Sequence, residues 1–248
     1  MCSLLLLSFF LNTSANLPTK YFWRKDFIST QRLEAILEDV SLLTLGSLGN
    51  YTLVQEVGKY VGSFVKTSGY SYYLVGPLDT LSPDDTDYFY RVNKSPFLTA
   101  DVYEKFATGL GLAGVIAVFD GRGKIDTNLV QSLISRKQTY PVLVENEDKM
   151  NLLKSLGYNS VFIVQSGDSF EFLSGKFAYL NWDIVPPDAE ELRKNLLLNS
   201  IIYINQGDIH VKKPFMTNGV VVYSSDDFVL NEARKILNKR AGPGRVPW

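Results

Sequence analysis

The chain has 248 residues, 46% of them hydrophobic, and its 25 basic and 26 acidic side chains leave a net charge of −1. That length and apolar content support one large α/β core, while the balanced charge excludes the strong field that recruits nucleic acid or an anionic membrane. A single cysteine, Cys2, excludes an intramolecular disulfide, and a single histidine, His210, argues against a zinc enzyme, so no metal and no cofactor are expected.

The N-terminal text MCSLLLLSFFLNTSANLP joins a Leu/Phe run to Ser14 and Ala15, small residues where a signal peptidase cuts, but no Lys or Arg precedes the run. Residues 1–16 read either as a leader, which would make the protein exported, or as a buried strand of a cytoplasmic one. The run 4–11 is too short to cross a bilayer. Residues 17–240 then form a single domain, and AGPGRVPW at 241–248 reads as a flexible tail.

An aromatic segment at 17–23 and the charged Arg24-Lys25-Asp26 lead to Gln31-Arg32-Leu33. From Thr52 the pattern is helical: Thr52 and Gln55 have capping-box spacing, Val54, Val57, Val61, Phe64 and Val65 share one face, and Gly69 stops the run. Residues 70–75 are rich in β-formers and are broken by Gly76-Pro77, which predicts a strand with Asp79 just past its end. The polar loop 82–94 follows; its SPDDTD text offers oxygen ligands without EF-hand spacing and reads as a solvated turn. Thr99 predicts an N-cap, and Val102, Phe106 and Leu110 make an apolar stripe ended by Gly111 and Gly114.

Residues 115–119 form a continuous apolar run of the kind a parallel sheet buries on both faces, opening into Asp120-Gly-Arg-Gly123. Another cycle predicts a helix at 128–137, a strand at 141–145, a helix at 147–156 closed by Gly157, and a strand at 160–165. Beyond it, turn signals at 166–182 suggest antiparallel excursions. A helix is expected from Asp188, a hairpin at 201–213 turning at Gly207-Asp208, a strand at 219–223 and a helix at 226–239.

Strands alternating with helices predict a parallel sheet with right-handed crossovers. Gly121-Arg-Gly123 is no dinucleotide fingerprint, so the expected class is α/β with a TIM-barrel-like (β/α) fold, shortened or irregular, with antiparallel excursions in the C-terminal third. Chemistry is expected on the unit 69–128, whose strands run into acidic or glycine-bearing loops.

Several stretches carry a family pattern. PTKYFWRKDFISTQRL at 18–33 keeps the proline to Arg-Leu spacing of texts such as PLLIAVDQEGGRVQRL, and residues 42–79 follow eLvyEvGraiaeElralGinvnfAPvlD. Arg91, Gly109-Leu110, Gly114-Val-Ile-Ala117, the loop to Gly123 and LGYNSVFIVQSGD at 156–168 stand against Arg-Ser-Phe-Gly, a Gly-Leu helix end, KHFPGHG and LGF.GVv.TDdL. Over residues 18–168 the chain therefore resembles the N-terminal barrel domain of glycoside hydrolase family 3, the lineage of β-N-acetylhexosaminidases and β-glucosidases.

The resemblance implies a retaining mechanism, in which one carboxylate attacks the anomeric carbon and a second group protonates the leaving oxygen. The matched positions depart from that chemistry. Gln165 stands at the nucleophile, where a neutral amide forms no glycosyl ester. Val118 replaces the His of KHF, Arg122 that of GHG, and Asp126-Thr-Asn128 the Asp-Ser-His. Arg24 matches the sugar-binding Asp, and Phe27 and Ile28 match glycines, building a bulky wall where substrate sat.

A degenerate, catalytically inactive domain with a carbohydrate-binding or structural, partner-binding role is thus expected. Asp79 and Arg91 are its candidate sugar contacts, unless they pair with each other. The alternative is an active glycosidase on β-linked sugars with its carboxylates relocated among Asp79, Asp120, Glu145 and Asp168, about 5–5.5 Å apart for retention or about 6.5–9.5 Å for inversion. A second alternative is an interaction module with no ligand. His210 reads as an exposed strand histidine, and Tyr70, Tyr72, Tyr73, Tyr88, Phe89 and Tyr90 read as core and sheet packing rather than as a sugar-stacking surface.

Overall fold

The computed structural model describes residues 28–29, 32–82, 85–137, 140–163, 188–205, 218–239 and 241–245. The expectations for residues 1–16, for Arg24, Phe27, Gln165, Asp168 and His210, and for the excursions at 166–182 lie outside the described residues.

A short strand β1 (Ile28–Ser29) is followed by α1 (Leu33–Ile36) and α2 (Leu42–Gly46), the latter opened by a capping box between Ser41 and Thr44. The predicted valine stripe is buried on α3 (Tyr51–Thr67), and Gly69 at φ 89° ends it. Asn50 rather than Thr52 caps this helix: its amide oxygen accepts from the Thr52 N–H at 3.0 Å. Next come β2 (Tyr72–Pro77), a 3-10 turn at Tyr88–Tyr90 and α4 (Pro96–Leu112). Pro96 sits at the first position of α4 behind the Ser95 cap, so Thr99 lies inside the helix and donates its hydroxyl to the Asn93 carbonyl at 3.1 Å.

The cycle continues through β3 (Ile116–Asp120), α5 (Thr127–Ser135), β4 (Val142–Val144), α6 (Glu147–Ser155), β5 (Val161–Ile163) and α7 (Glu190–Asn199). Strands β1 to β5 form one parallel sheet in chain order, each laid beside its predecessor. Among the described residues no strand of this sheet reverses that order, so they show no switch point of a doubly wound sheet. The fold is α/β with a parallel sheet, as expected, but among the described residues β1 and β5 do not pair and the closed ring of a TIM-like barrel is not formed. No described helix is long and apolar enough to cross a membrane.

The C-terminal third differs from expectation in its pairing. β6 (Ile202–Asn205) and β7 (Asn218–Val221) make a separate antiparallel pair with Ile202 opposite Val221, and α8 (Asp227–Lys239) follows. The strand expected at 219–223 is thus the partner of β6, not a further parallel strand. Residues 241–245, expected as part of a flexible tail, make backbone bonds: the Gly244 N–H donates to the Ile201 carbonyl at 2.9 Å and the Arg245 N–H to that of Ser47 at 2.6 Å.

Helices α3 and α4 cross with their backbones in contact. A Cβ on Gly58 would lie 2.2 Å from the Phe106 carbonyl oxygen, and one on Gly109 2.2 Å from that of Gln55. Ordinary side chains hold helix axes about 8–10 Å apart, and glycine at both positions removes the spacers. Gly109→Ala is therefore expected to destabilise the fold by about 1–3 kcal/mol in thermal denaturation. Gly111→Ala, whose Cβ would meet nothing within 4 Å, is expected to be neutral or stabilising by up to about 1 kcal/mol.

Burial pushes the phenols of Tyr140 and Tyr223 up to about 12, and raises those of Tyr73, Tyr90, Tyr103 and Tyr158 well above the ordinary value. A folded value above the unfolded one means stability that is full below the usual tyrosine range, about pH 10, and is lost as pH rises through the folded values. Alkaline titration followed by phenolate absorbance should show the buried tyrosines ionising only together with loss of the circular dichroism of the fold.

Candidate functional site

The parallel strands bring their carboxyl ends to one edge of the sheet, and three candidate residues arrive there by chain order. Asp79 follows β2, Asp120 closes β3 and Glu145 follows β4. The Leu78 backbone holds the first two ends together: its N–H donates to the Asp120 carbonyl at 2.8 Å, and its carbonyl accepts from the Asp126 N–H at 2.8 Å. Asp126 in turn caps α5 through the Asn128 N–H and accepts the Thr80 hydroxyl at 2.8 Å. The position matched to the family's Asp-Ser-His is therefore occupied by a helix cap.

Each strand-end carboxylate meets a cation, at two kinds of distance. Asp120 is gripped by Arg122 through Nε at 2.9 Å, Nη2 at 2.8 Å and the backbone N–H at 3.0 Å. That hydrogen-bonded carboxylate raises the Arg122 guanidinium above its usual value. Glu145 pairs with Lys149 at 2.5 Å, and the same ammonium donates to the carbonyls of Arg122, at 2.7 Å, and Gly123. Lys149 thereby ties the loop after β3 to α6.

Asp79 is different. It is almost fully buried, and the Thr80 N–H donates to it at 2.9 Å, yet its cations stand off, with Arg91 Nη2 at 3.7 Å and Lys124 Nζ at 3.6 Å. Neither cation makes a hydrogen bond to it at that range. The Lys124 side chain is 70% exposed. Arg91 also faces Asp85 at 3.9 Å, and its Nε is buried without a hydrogen-bond partner.

The turn that delivers Arg91 is held from below. Asp87 accepts from Arg32 at 2.6 and 3.4 Å, and that guanidinium lies 5.0 Å from the Tyr90 ring centroid. Burial raises the Tyr90 phenol, Asp120 raises it further, and Arg122, Arg32 and Arg91 oppose the shift. Among the described residues no group of three or more His, Cys, Asp or Glu is placed to hold a metal ion.

Asp79, Arg91, Asp120 and Glu145 thus share one end of the sheet, and Asp79 and Arg91 form the pair foreseen as their structural alternative. Val118 is buried within β3. Sequence reasoning missed the part played by Lys124 and Lys149. Lys149 was visible as an i,i+4 partner of Glu145, whereas nothing local links Lys124 to Asp79, 45 residues away.

No family model matches the chain, and no curated protein matches it. The solved structure of M. tuberculosis LpqI, a member of glycoside hydrolase family 3, is similar with a TM-score of 0.43 and 18% identity. The match covers 62% of this chain and 59% of that one, so the chain spans less than two thirds of the length of LpqI. A likeness this weak carries no argument about fold or activity.

Arg122→Ala would leave the largely buried Asp120 carboxylate without its main partner. Discounted for partial exposure of the pair, the expected loss is about 1–3 kcal/mol in urea denaturation. Lys124→Ala, which removes a distant and exposed ammonium, should fall within about 0.5 kcal/mol of the parent.

Proposed function

We propose that the chain is a non-hydrolytic α/β domain of glycoside hydrolase family 3 descent that binds a carbohydrate at the Asp79–Arg91 end of its sheet. The motif order over residues 18–168 supports the descent. One observation carries the loss of hydrolysis: Asp120 and Glu145, the strand-end carboxylates best placed for acid and base roles, are bound at 2.5–2.9 Å by Arg122 and Lys149.

A carboxylate whose lone pairs are filled by a guanidinium is a poor nucleophile, and one that must give up a cation to take a proton is a poor general acid. Arg91, 3.7 Å from Asp79 and part-exposed, retains capacity for new partners: its guanidinium donates to sugar hydroxyls while the buried Asp79 carboxylate holds it electrostatically in place. A β-linked saccharide is the ligand class implied by the family pattern.

The test pairs an activity assay with a binding assay. p-Nitrophenyl β-glucoside and p-nitrophenyl N-acetyl-β-glucosaminide should show no turnover above the uncatalysed rate. Calorimetry with cellotetraose and chitotetraose should show binding that Asp79→Ala abolishes. Turnover lost on Asp79→Ala or Glu145→Ala would contradict the reading, as would absence of binding to both oligosaccharides.

A further inference from the structure

Residues 241–245 grip two distant parts of the chain with adjacent backbone donors. The Gly244 N–H donates to the Ile201 carbonyl at 2.9 Å, just before β6, and the Arg245 N–H to the Ser47 carbonyl at 2.6 Å, just after α2. The first contact needs bare backbone: a Cβ on Gly242 would lie 2.8 Å from the Ile201 carbonyl oxygen, and one on Gly244 2.7 Å from that of Ser200. The Arg245 guanidinium extends the second, lying 5.7 Å from the centroid of the Tyr51 ring at the start of α3. We propose that residues 241–245 are a strap that fastens the unit of β6, β7 and α8 to the corner between α2 and α3, and that its docking holds in place the turn carrying Arg91.

Ser47 is where the fastenings meet. Its carbonyl takes the strap, and its hydroxyl donates its one proton to the Leu43 carbonyl at 2.9 Å, which leaves the Tyr223 hydroxyl to donate to Ser47 Oγ at 2.5 Å. Two separate pieces of the C-terminal unit therefore hold one buried serine. The preceding residue carries the other half of the link. A Cβ on Gly46 would lie 1.8 Å from the Val92 carbonyl oxygen, and Asn93 Nδ2 donates to the Gly46 carbonyl at 3.5 Å. Backbone packed on backbone leaves no side chain to absorb a displacement, so a shift of α2 is passed to Val92 and Asn93. The Asn93 carbonyl accepts the Leu81 N–H at 3.0 Å, which carries the link across the base of the loop 82–94.

A separate clamp keeps the C-terminal unit attached when the strap is released. From α7 the Arg193 guanidinium donates to the Glu38 carbonyl at 2.9 Å, to Asp39 at 2.9 Å and to Asp226, just before α8, at 2.7 Å. Undocking of the strap is thus a local opening rather than loss of the fold, and its effect runs through α2 to the Arg91 turn. The inference does not depend on what binds at Arg91.

Amide hydrogen exchange, read residue by residue by NMR, compares the full chain with its Gly244→Ala and Gly242→Ala variants and with Gly111→Ala, an open position, as control. In both strap variants the Ser47, Leu48, Leu81 and Arg91 amides should exchange about tenfold faster or more, while Val142, which donates to the Ser160 carbonyl beside β5, keeps its parent rate. Gly111→Ala should leave all five unchanged. Faster exchange confined to residues 200–205 and 241–245 would overturn the link to Arg91. Equal quickening at Val142 would mean that the strap supports the whole fold alike and would overturn the proposal too. Parent rates throughout both variants would show that the strap does not hold the corner.

Discussion

The carbonyl oxygens of Phe106 and Gln55 lie 2.2 Å from where a Cβ would sit on Gly58 and Gly109, and this backbone contact between α3 and α4 sets the frame of the fold. α3 leads into β2 and α4 into β3, so the crossing governs how those two strands are delivered to the sheet. Parallel neighbours lie about 4.8 Å apart, closer than helix axes normally approach, and glycines at the crossing reduce that mismatch. The Leu78 backbone then joins the two strand ends, and Asp79 and Asp120 emerge side by side.

Their different fates follow from local chain geometry. Arg122 lies two residues past Asp120 in a tight loop, so its backbone and side chain reach the same carboxylate. Glu145 lies just before the Asn146 cap of α6 and Lys149 in its first turn, so the chain's entry into the helix brings the two together. No such short-range partner serves Asp79, whose cations come from residues 12 and 45 positions away and stop short of hydrogen-bond distance. Two strand ends thus carry hydrogen-bonded ion pairs, and the third carries a buried carboxylate whose cations stand off.

Much of the frame was legible in the sequence because it rests on periodicity. The valine stripe of α3, the apolar run of β3 and the helix starts near Glu147 and Asp227 follow from side-chain spacing alone. Caps were harder: Thr52 and Thr99 have suitable chemistry, yet Asn50 and Ser95 stand earlier in the chain and take the role, with Pro96 fixing the start of α4. The pairing of β6 with β7 was not legible, since a strand's sequence does not state the direction of its partner. The aromatic cluster shows the same limit, because one pattern yields a core ring at Tyr73 and an exposed one at Phe89.

The most direct test of the claim that this edge binds sugar without cleaving it is covalent trapping. Activated fluoroglycosides, 2-fluoro-β-glucosyl and 5-fluoro-β-N-acetylglucosaminyl, accumulate as glycosyl esters on the nucleophile of a retaining enzyme, and intact mass spectrometry reads the adduct. The account predicts an unchanged protein mass after prolonged incubation with either reagent. A stoichiometric gain of one fluoroglycosyl group on Asp79, Asp120 or Glu145 would contradict it.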